Sequence, residues 1–251
     1  MLNFSKKSIS QAVFVIGFER DVSIRTKQFE IEKAMMPLVS GPSVNTNIPD
    51  EFEAQMPRVT MNYGDVAIHF SQVTAQMTIN VDNNNAKSIE VIVESIAKRV
   101  NLFQSVVDKV IHNDMQRERG LVLTVNYSVD KEKITDADVS EYIQSHFMKV
   151  QPLGIPASAG FNVGYKTDDN FFITLSVGQY KFVRSELLSA SPVQWIDISK
   201  LIIIDTGVEL KIDINSRPLL DIVNKPKDVT KAILDKSYDF LLKQADGFIG
   251  K

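Results

Sequence analysis

The chain has 251 residues, of which 44% are hydrophobic and 24% are charged. This composition is typical of a globular protein and excludes collagen-like, mucin-like and long disordered chains. The formal net charge is −3, so there is no excess of positive charge to attract nucleic acid or anionic lipid. We therefore expect neither a nucleic-acid partner nor a membrane partner.

The sequence contains no cysteine, which excludes disulfides, cysteine-ligated metal sites and thiol nucleophiles. Residues 12–18 form an apolar run that is too short for a signal sequence, and no run approaches the ~18 residues that span a bilayer. We accordingly expect a soluble, cytoplasmic protein. The length allows either one large domain or two of about 120 residues each.

The first half begins with the apolar residues 12–18, which predict a strand covered on both faces. Residues 25–38 show a weak helical pattern. A loop of about twenty residues follows, long enough to be either a surface excursion or a partner-binding arm; its prolines are Pro42, Pro49 and Pro57. Alternating side chains at 58–63, 66–70 and 73–81 then predict an antiparallel meander.

A long amphipathic helix closes the first half. Residues 82–85 supply capping side chains, and the helix is expected to begin near Ala86. Its apolar side chains recur every three or four residues over about 25 residues and form one continuous stripe. They are Ile89, Ile92, Val93, Ile96, Val100, Phe103, Val107 and Val110.

The second half repeats this order, beginning with a strand at 121–129. Thr135 and Asp138 resemble a capping box that opens a short helix. A loop rich in proline and glycine follows, and alternation at 161–165 and 171–177 predicts a hairpin. Its second strand is followed by Tyr180 and Phe182, which lie on a continuation of that strand or on a third strand.

The chain ends with two further predicted elements. Residues 201–204 are apolar throughout, and residues 208–214 alternate between apolar and polar side chains, which predicts a strand. Pro226 occupies a first-turn position before a final amphipathic helix.

These elements predict an α+β fold built from two pseudo-repeated βαβββα units. The units are residues 1–113 and residues 114–251, the second with an insertion at 184–199. Each unit would pack an antiparallel sheet on a long amphipathic helix, and the two sheets could join edge to edge. The saddle-like duplicated fold of the TATA-binding protein and the helix-grip ligand binders have this order of elements, an analogy of fold that transfers no function.

Motifs for common chemistry are missing from the sequence. His69, His112 and His146 have no metal-ligand spacing, and we predict no metal site. The sequence has no nucleophile elbow and no phosphate-binding glycine loop. We therefore assign no catalytic residues and no cofactor.

One pattern of charged residues resembles the site of a metal-dependent nuclease. Asp197 followed by Glu209 and Lys211 reproduces the arrangement in which two carboxylates hold Mg²⁺ and a lysine stabilises charge. Glu and Lys two residues apart are also common on the solvent face of any strand, and the acidic chain is poorly suited to a DNA substrate.

The inserted segment supplies the candidate binding residue. Trp195 is the single tryptophan of the chain, and large aromatic side chains of this type dominate the energetics of protein interfaces. Packing of Trp195 over a sheet edge is the structural alternative.

Four segments resemble a sporadically distributed family of bacterial proteins without an assigned activity. They are residues 9–18, 57–81, 120–127 and 208–214. The sequence departs from the family pattern at Gln11, where we expect an acid, in the mid-chain strand, where we expect arginines, and at Ile233-Leu234, where we expect Leu-His. The patchy distribution implies an accessory role, such as phage defence or bacterial conflict.

We thus expect a non-enzymatic protein that binds a protein partner or forms a homo-oligomer. The sheet edges, the proline-rich loop and the Trp195 segment are the candidate surfaces. The alternatives are a helix-grip binder of a small apolar ligand and, third, the metal-dependent nuclease.

Overall fold

The computed structural model describes residues 2–82, 88–111, 116–148, 153–184, 202–220, 222 and 228–251. The strands of these residues are β1 (Phe4–Phe18), β2 (Val44–Asn45), β3 (Val59–Tyr63), β4 (Val66–Phe70), β5 (Thr74–Asn80), β6 (Gln116–Val129), β7 (Gly160–Lys166), β8 (Phe172–Val183) and β9 (Ile203–Asn215). The helices are α1 (Gln28–Met35), α2 (Ile89–Val110), α3 (Asp136–Phe147), α4 (Val229–Asp239) and α5 (Ala245–Ile249). A 3-10 turn lies at Arg217–Leu219, and a π-helical turn joins α4 to α5 at Phe240–Gln244.

The strands form one antiparallel sheet in the order β2-β3-β4-β5-β1-β6-β9-β8-β7. The predicted α+β class with antiparallel strands is therefore confirmed, but the described residues form a single sheet instead of one sheet in each half. The reason is the pairing of β1 with β6, which runs from Phe4 opposite Val129 to Phe18 opposite Gln116. Because the first strand of each half bonds to the other, neither strand is left as an edge.

The strand order is mirrored about the β1–β6 pair. On one side the sheet continues β1-β5-β4-β3, and on the other side it continues β6-β9-β8-β7. In each half the first strand therefore lies beside the last strand, and the middle strands lie farther out.

The hydrophobic core lies between one face of the sheet and the helices. Phe14 of β1 pairs with Met77 on one side and Leu121 on the other, and its ring lies 6.2 Å from that of Phe103 on α2. Across the second half, Phe147 of α3 stacks on Phe161 of β7 at 5.2 Å. The predicted apolar stripe of α2 thus faces the sheet.

The alternate side chains point to the opposite face, where no described helix packs. We call this the bare face. It carries uncharged polar, charged and aliphatic side chains, among them Asn62, Thr78, Gln11, Thr124, Asn126, Ser176, Glu209, Lys211, Asp213, Val13 and Val122. In the part of the chain that the structure describes, one face of the sheet therefore forms the core and the other carries no helix.

Several boundaries differ from the sequence predictions. β1 begins at Phe4, although the apolar run begins eight residues later, because its first part pairs with β6 through mixed polar residues. The helix predicted at 25–38 is limited to α1. α2 begins at Ile89, where Ser88 accepts a hydrogen bond from the Val91 amide; the predicted start at Ala86 lies outside the described residues.

Other local predictions are confirmed. Thr135 and Asp138 form a reciprocal capping box at the start of α3. Tyr180 and Phe182 lie on the continuation of β8. α4 begins after Asp228, which accepts a hydrogen bond from the Lys231 amide at 2.8 Å, while Pro226 lies outside the described residues. None of the helices in the described ranges combines the length and the apolar character that a membrane span requires.

Candidate functional site

The outer end of the β8–β9 hairpin exposes three large apolar side chains. Phe182 is 45% exposed, Ile202 is 59% exposed and Ile204 is 54% exposed. The two strands are still joined there, since the Arg184 amide donates to the Ile202 carbonyl at 3.0 Å. We call these three residues the hairpin end. The segment that connects its two strands contains the predicted insertion.

A buried polar cluster anchors the hairpin end to the sheet. The hydroxyls of Ser128 and Tyr180 lie 2.9 Å apart, and they donate to the Asp205 carboxylate at 3.0 and 2.9 Å. Burial, together with the nearby charge of Asp205, raises the pKa of the Tyr180 hydroxyl. The phenol therefore remains neutral and acts as a hydrogen-bonding anchor.

Gly207 allows β9 to approach β6 closely beside this cluster. A Cβ atom at Gly207 would lie 2.0 Å from the Tyr127 carbonyl oxygen, so another residue would force the strands apart. Nearby, the Lys131 ammonium donates to the Ile203 carbonyl at 2.9 Å. The base of the hairpin end is thus fixed, while its apolar side chains face solvent.

The bare face contains a cavity of about 300 Å³ at the end of β9, beside the 3-10 turn. Gly120 and Val122 contribute to its lining. One side is closed by Arg217, whose guanidinium donates to both carboxylate oxygens of Glu118 at 2.8 and 3.1 Å. Asp213 also lines the cavity, and burial raises the pKa of its carboxyl group.

Asn126 is an unusual polar residue of the bare face. Asn126 is 1% exposed, yet neither the nitrogen nor the oxygen of its side-chain amide has a hydrogen-bond partner. The residue lies between Ser8 of β1 and Glu209 of β9. A buried amide without partners costs free energy, so this position destabilises the fold.

Two cavities flank α2 on the helix side of the sheet. One of about 260 Å³ lies between the first turns of α2 and the end of β5, and Val81, Val91 and Ile92 contribute to its lining. The other, of about 320 Å³, lies near the end of α1. The ion pair of Arg99 and Asp65, at 2.6 Å, borders both cavities.

The proline-rich loop is held by a fully buried arginine. Arg58 donates to the carbonyls of Pro49, Phe52, Glu53 and Met56 at 2.8–3.3 Å, and its Nε lies 3.3 Å from the Asp50 carboxylate. Gln72 also donates to the Asp50 carbonyl at 3.0 Å. These contacts anchor the loop to the rest of the fold, and its interpretation as a surface excursion or a partner-binding arm stays a prediction.

The candidate residues from the sequence have different outcomes. Trp195 and Asp197 both lie outside the described residues, so their predicted roles remain predictions. Glu209 and Lys211 lie on the bare face and form an ion pair at 3.1 Å. Among the described residues, no group of three or more histidines, aspartates or glutamates is placed to hold a metal ion.

The histidines occupy separate parts of the molecule. His69 lies on β4, and burial lowers the pKa of its imidazole. His146 lies in the last turn of α3 and stacks on Tyr142 with 5.3 Å between ring centres. His112 lies outside the described residues.

Sequence reasoning missed Arg58, Asn126 and the hairpin end. An arginine before a strand gives no periodic signal of burial, and Asn126 follows the ordinary alternation of a half-exposed strand. The exposed apolar pair Ile202 and Ile204 did carry a signal, because apolar residues appear there at every position.

A scan against protein-family models found no match, and a search of curated proteins found none either.

Proposed function

We propose that this protein is a non-enzymatic, protein-binding component of an assembly, and that the hairpin end is its docking surface. By its resemblance to a sporadically distributed bacterial family, the assembly would belong to a phage-defence or conflict system. The proposed partner is another protein that presents an apolar patch to Phe182, Ile202 and Ile204.

The exposure of the hairpin end is the observation that carries this proposal. Phe182, Ile202 and Ile204 are all exposed within one short stretch of the paired strands, and a group of exposed apolar side chains is characteristic of interaction sites, whereas single ones need no explanation. The buried Ser128–Tyr180–Asp205 cluster supports the same surface, because it fixes the backbone from which the apolar side chains project. A rigid presentation lowers the entropic cost of binding. Trp195, in the segment that joins the two strands, would add an aromatic anchor.

We also infer an internal duplication at residues 1–113 and 114–251. Its support is the mirrored strand order about the β1–β6 pair and the amphipathic helix that follows the strands of each half. In this interpretation β8 and β9 correspond to β4 and β5. The long hairpin of the second half would then be an elaboration that the first half lacks.

The experiment compares two substitutions of exposed aliphatic residues. Ile204→Ser removes an apolar side chain from the hairpin end, and Val22→Ser does the same at a distant surface position that is 62% exposed. Both variants and the unmodified protein are used to capture proteins from the native host. We expect a partner that the unmodified protein and Val22→Ser retain and that Ile204→Ser loses. A set of captured proteins identical for all three would refute the proposal.

A second candidate function, a helix-grip binder of a small apolar ligand, is favoured by the cavity beneath α2. Its volume of about 260 Å³ is just below the usual range of small-molecule sites, and several of its walls are aliphatic. Ser95 lines this cavity, whereas the exposed neighbour Glu94 does not.

Ser95→Trp would obstruct the cavity, and Glu94→Trp is the matched control. An anilinonaphthalene sulfonate dye serves as the apolar probe, with its fluorescence and the Tm of the protein as the two readouts. If this function is correct, the dye raises the Tm of the unmodified protein and of Glu94→Trp but not of Ser95→Trp. Equal responses of all three proteins would eliminate the cavity as a ligand site.

A further inference from the structure

We propose that β7 pairs with β7 of a second copy of this chain and forms a symmetric homodimer. The two strands would run antiparallel about a two-fold axis that passes through Val163, perpendicular to the sheet. The two nine-stranded sheets would then form one continuous sheet. This inference concerns a different surface from the hairpin end, so it does not depend on the proposed function.

β7 is the long edge of the described sheet. Five of its seven residues are exposed, and its outer side has no strand partner among the described residues. The opposite edge is β2, which has only two residues. Proteins commonly protect an edge by shortening it or by placing proline, charges or a bulge on it. β2 is protected by its shortness, but β7 has only Lys166 at its last position.

The sequence of β7 is complementary to itself in the proposed register. With Val163 on the axis, Phe161 lies opposite Tyr165 of the second copy, and the same pair occurs again on the other side of the axis. These side chains belong to the helix face, since their partners on β8 are Val177 and Ile173. Cross-strand aromatic pairs are among the stabilising pairs of antiparallel sheets. A shift of one residue in either direction removes both pairs.

The charges are also compatible with this register. Lys166 is the charged residue of β7, and it would lie opposite Gly160 of the second copy. Beyond the strand, Asp168 would come opposite Ser158. No like charges therefore meet across the axis. On the bare face, Asn162 would lie opposite Gly164 of the second copy.

The backbone contributes the rest of the interaction. An antiparallel pair of seven residues forms about six to eight hydrogen bonds. The number depends on which alternate residues of β7 direct their backbone N–H and C=O groups away from β8. The exposed ring of Tyr165, 49% exposed in one chain, would be covered in the dimer. Such an interface is smaller than the ~1,600 Å² of a standard complex, so we expect a dimer whose population rises with protein concentration.

Single cysteines test the register directly because the natural chain has none. Val163→Cys places two sulfurs across the axis, and the double variant Asn162→Cys/Gly164→Cys tests the adjacent rows. Opposed residues alternate between hydrogen-bonded pairs and pairs without hydrogen bonds, and disulfides form best in the latter because their side chains lie closer together. At least one of these variants should therefore crosslink between chains under mild oxidation. Asn62→Cys, exposed on β3 near the other end of the sheet, is the control and should stay uncrosslinked.

Sedimentation velocity over a range of concentrations gives the independent measurement. The unmodified protein should dimerise, and Tyr165→Lys should be monomeric. Tyr63→Lys should behave like the unmodified protein, since Tyr63 lies on a distant strand and is 56% exposed, similar to Tyr165. Ile204→Ser should also still dimerise, which separates this inference from the proposed function. A monomer at every concentration, a dimer that persists in Tyr165→Lys, or crosslinking no greater than that of the control would overturn the proposal.

Discussion

Replacing Arg58 by methionine tests whether a single buried cation holds the proline-rich loop. Methionine keeps most of the aliphatic stem of the arginine, so little apolar burial is lost. It removes the guanidinium, which donates to the carbonyls of Pro49, Phe52, Glu53 and Met56. Hydrogen bonds from charged donors contribute about 1.5–3 kcal/mol each, although such values do not add. Each buried carbonyl oxygen that is left without its donor costs about 1–3 kcal/mol.

Since several of these carbonyls lose their donor together, we expect the free energy of unfolding of Arg58→Met to fall by about 3–5 kcal/mol. If the loop detaches before the rest unfolds, the same loss appears as rapid amide exchange and protease cleavage between residues 46 and 57. Urea unfolding and hydrogen exchange measure the two responses. Arg58→Lys should be intermediate, because an ammonium group cannot reach all four carbonyls.

Arg99→Met is the matched control for this prediction. Arg99 is partly exposed and pairs with Asp65 at 2.6 Å, and surface pairs of this kind contribute about 0–1 kcal/mol. The reasoning is refuted if Arg58→Met loses less than about 1 kcal/mol and its loop remains protected from exchange.

Three further substitutions have defined outcomes. Asn126→Val should raise the free energy of unfolding by about 1–3 kcal/mol, relative to the exposed control Asn62→Val, because it removes a buried amide without partners; a loss in urea unfolding would contradict this. Asp213→Asn should be more stable than the unmodified protein at pH 7, because burial raises the pKa of Asp213 and its ionised form opposes folding. Unfolding curves at several pH values should show this difference in the free energy of unfolding shrink as the pH falls towards 3.8. A difference that grows as the pH falls would contradict the reasoning. Thr135→Ala should cost about 1 kcal/mol by removing the cap of α3, and Tm values that match those of the unmodified protein would argue against the capping role.

Local features of the fold were predictable because their causes are local. The alternation in β3, β4 and β5 identifies which side chains face the core, and the structure places Met61, Ile68 and Met77 together on that face. The apolar stripe of α2 and the capping box of α3 likewise follow from spacing alone. These patterns state which face is buried but not which strand lies beside which.

The joining of the two halves could not be derived in this way. The pairing of β1 with β6 connects residues 98 to 125 positions apart. The first part of β1 also contains Lys6, Lys7 and Ser8, which break the apolar pattern. Lys7 is retained there because Asp246 pairs with it at 2.6 Å and the Leu241 carbonyl accepts a hydrogen bond from it. The burial of Arg58 was unpredictable for a different reason: its carbonyl partners lie only two to nine residues away in the sequence, but they converge on the guanidinium only in the folded loop.

Covalent capture at the hairpin end tests the proposed protein-binding role most directly. A benzophenone amino acid replaces Phe182 in the native host, and the same residue replaces Phe29, which is 81% exposed on α1, as the control. After irradiation, we predict a specific adduct with another protein from position 182 that position 29 does not give. Irradiation that yields no protein adduct at 182, or the same adducts at both positions, would contradict the account.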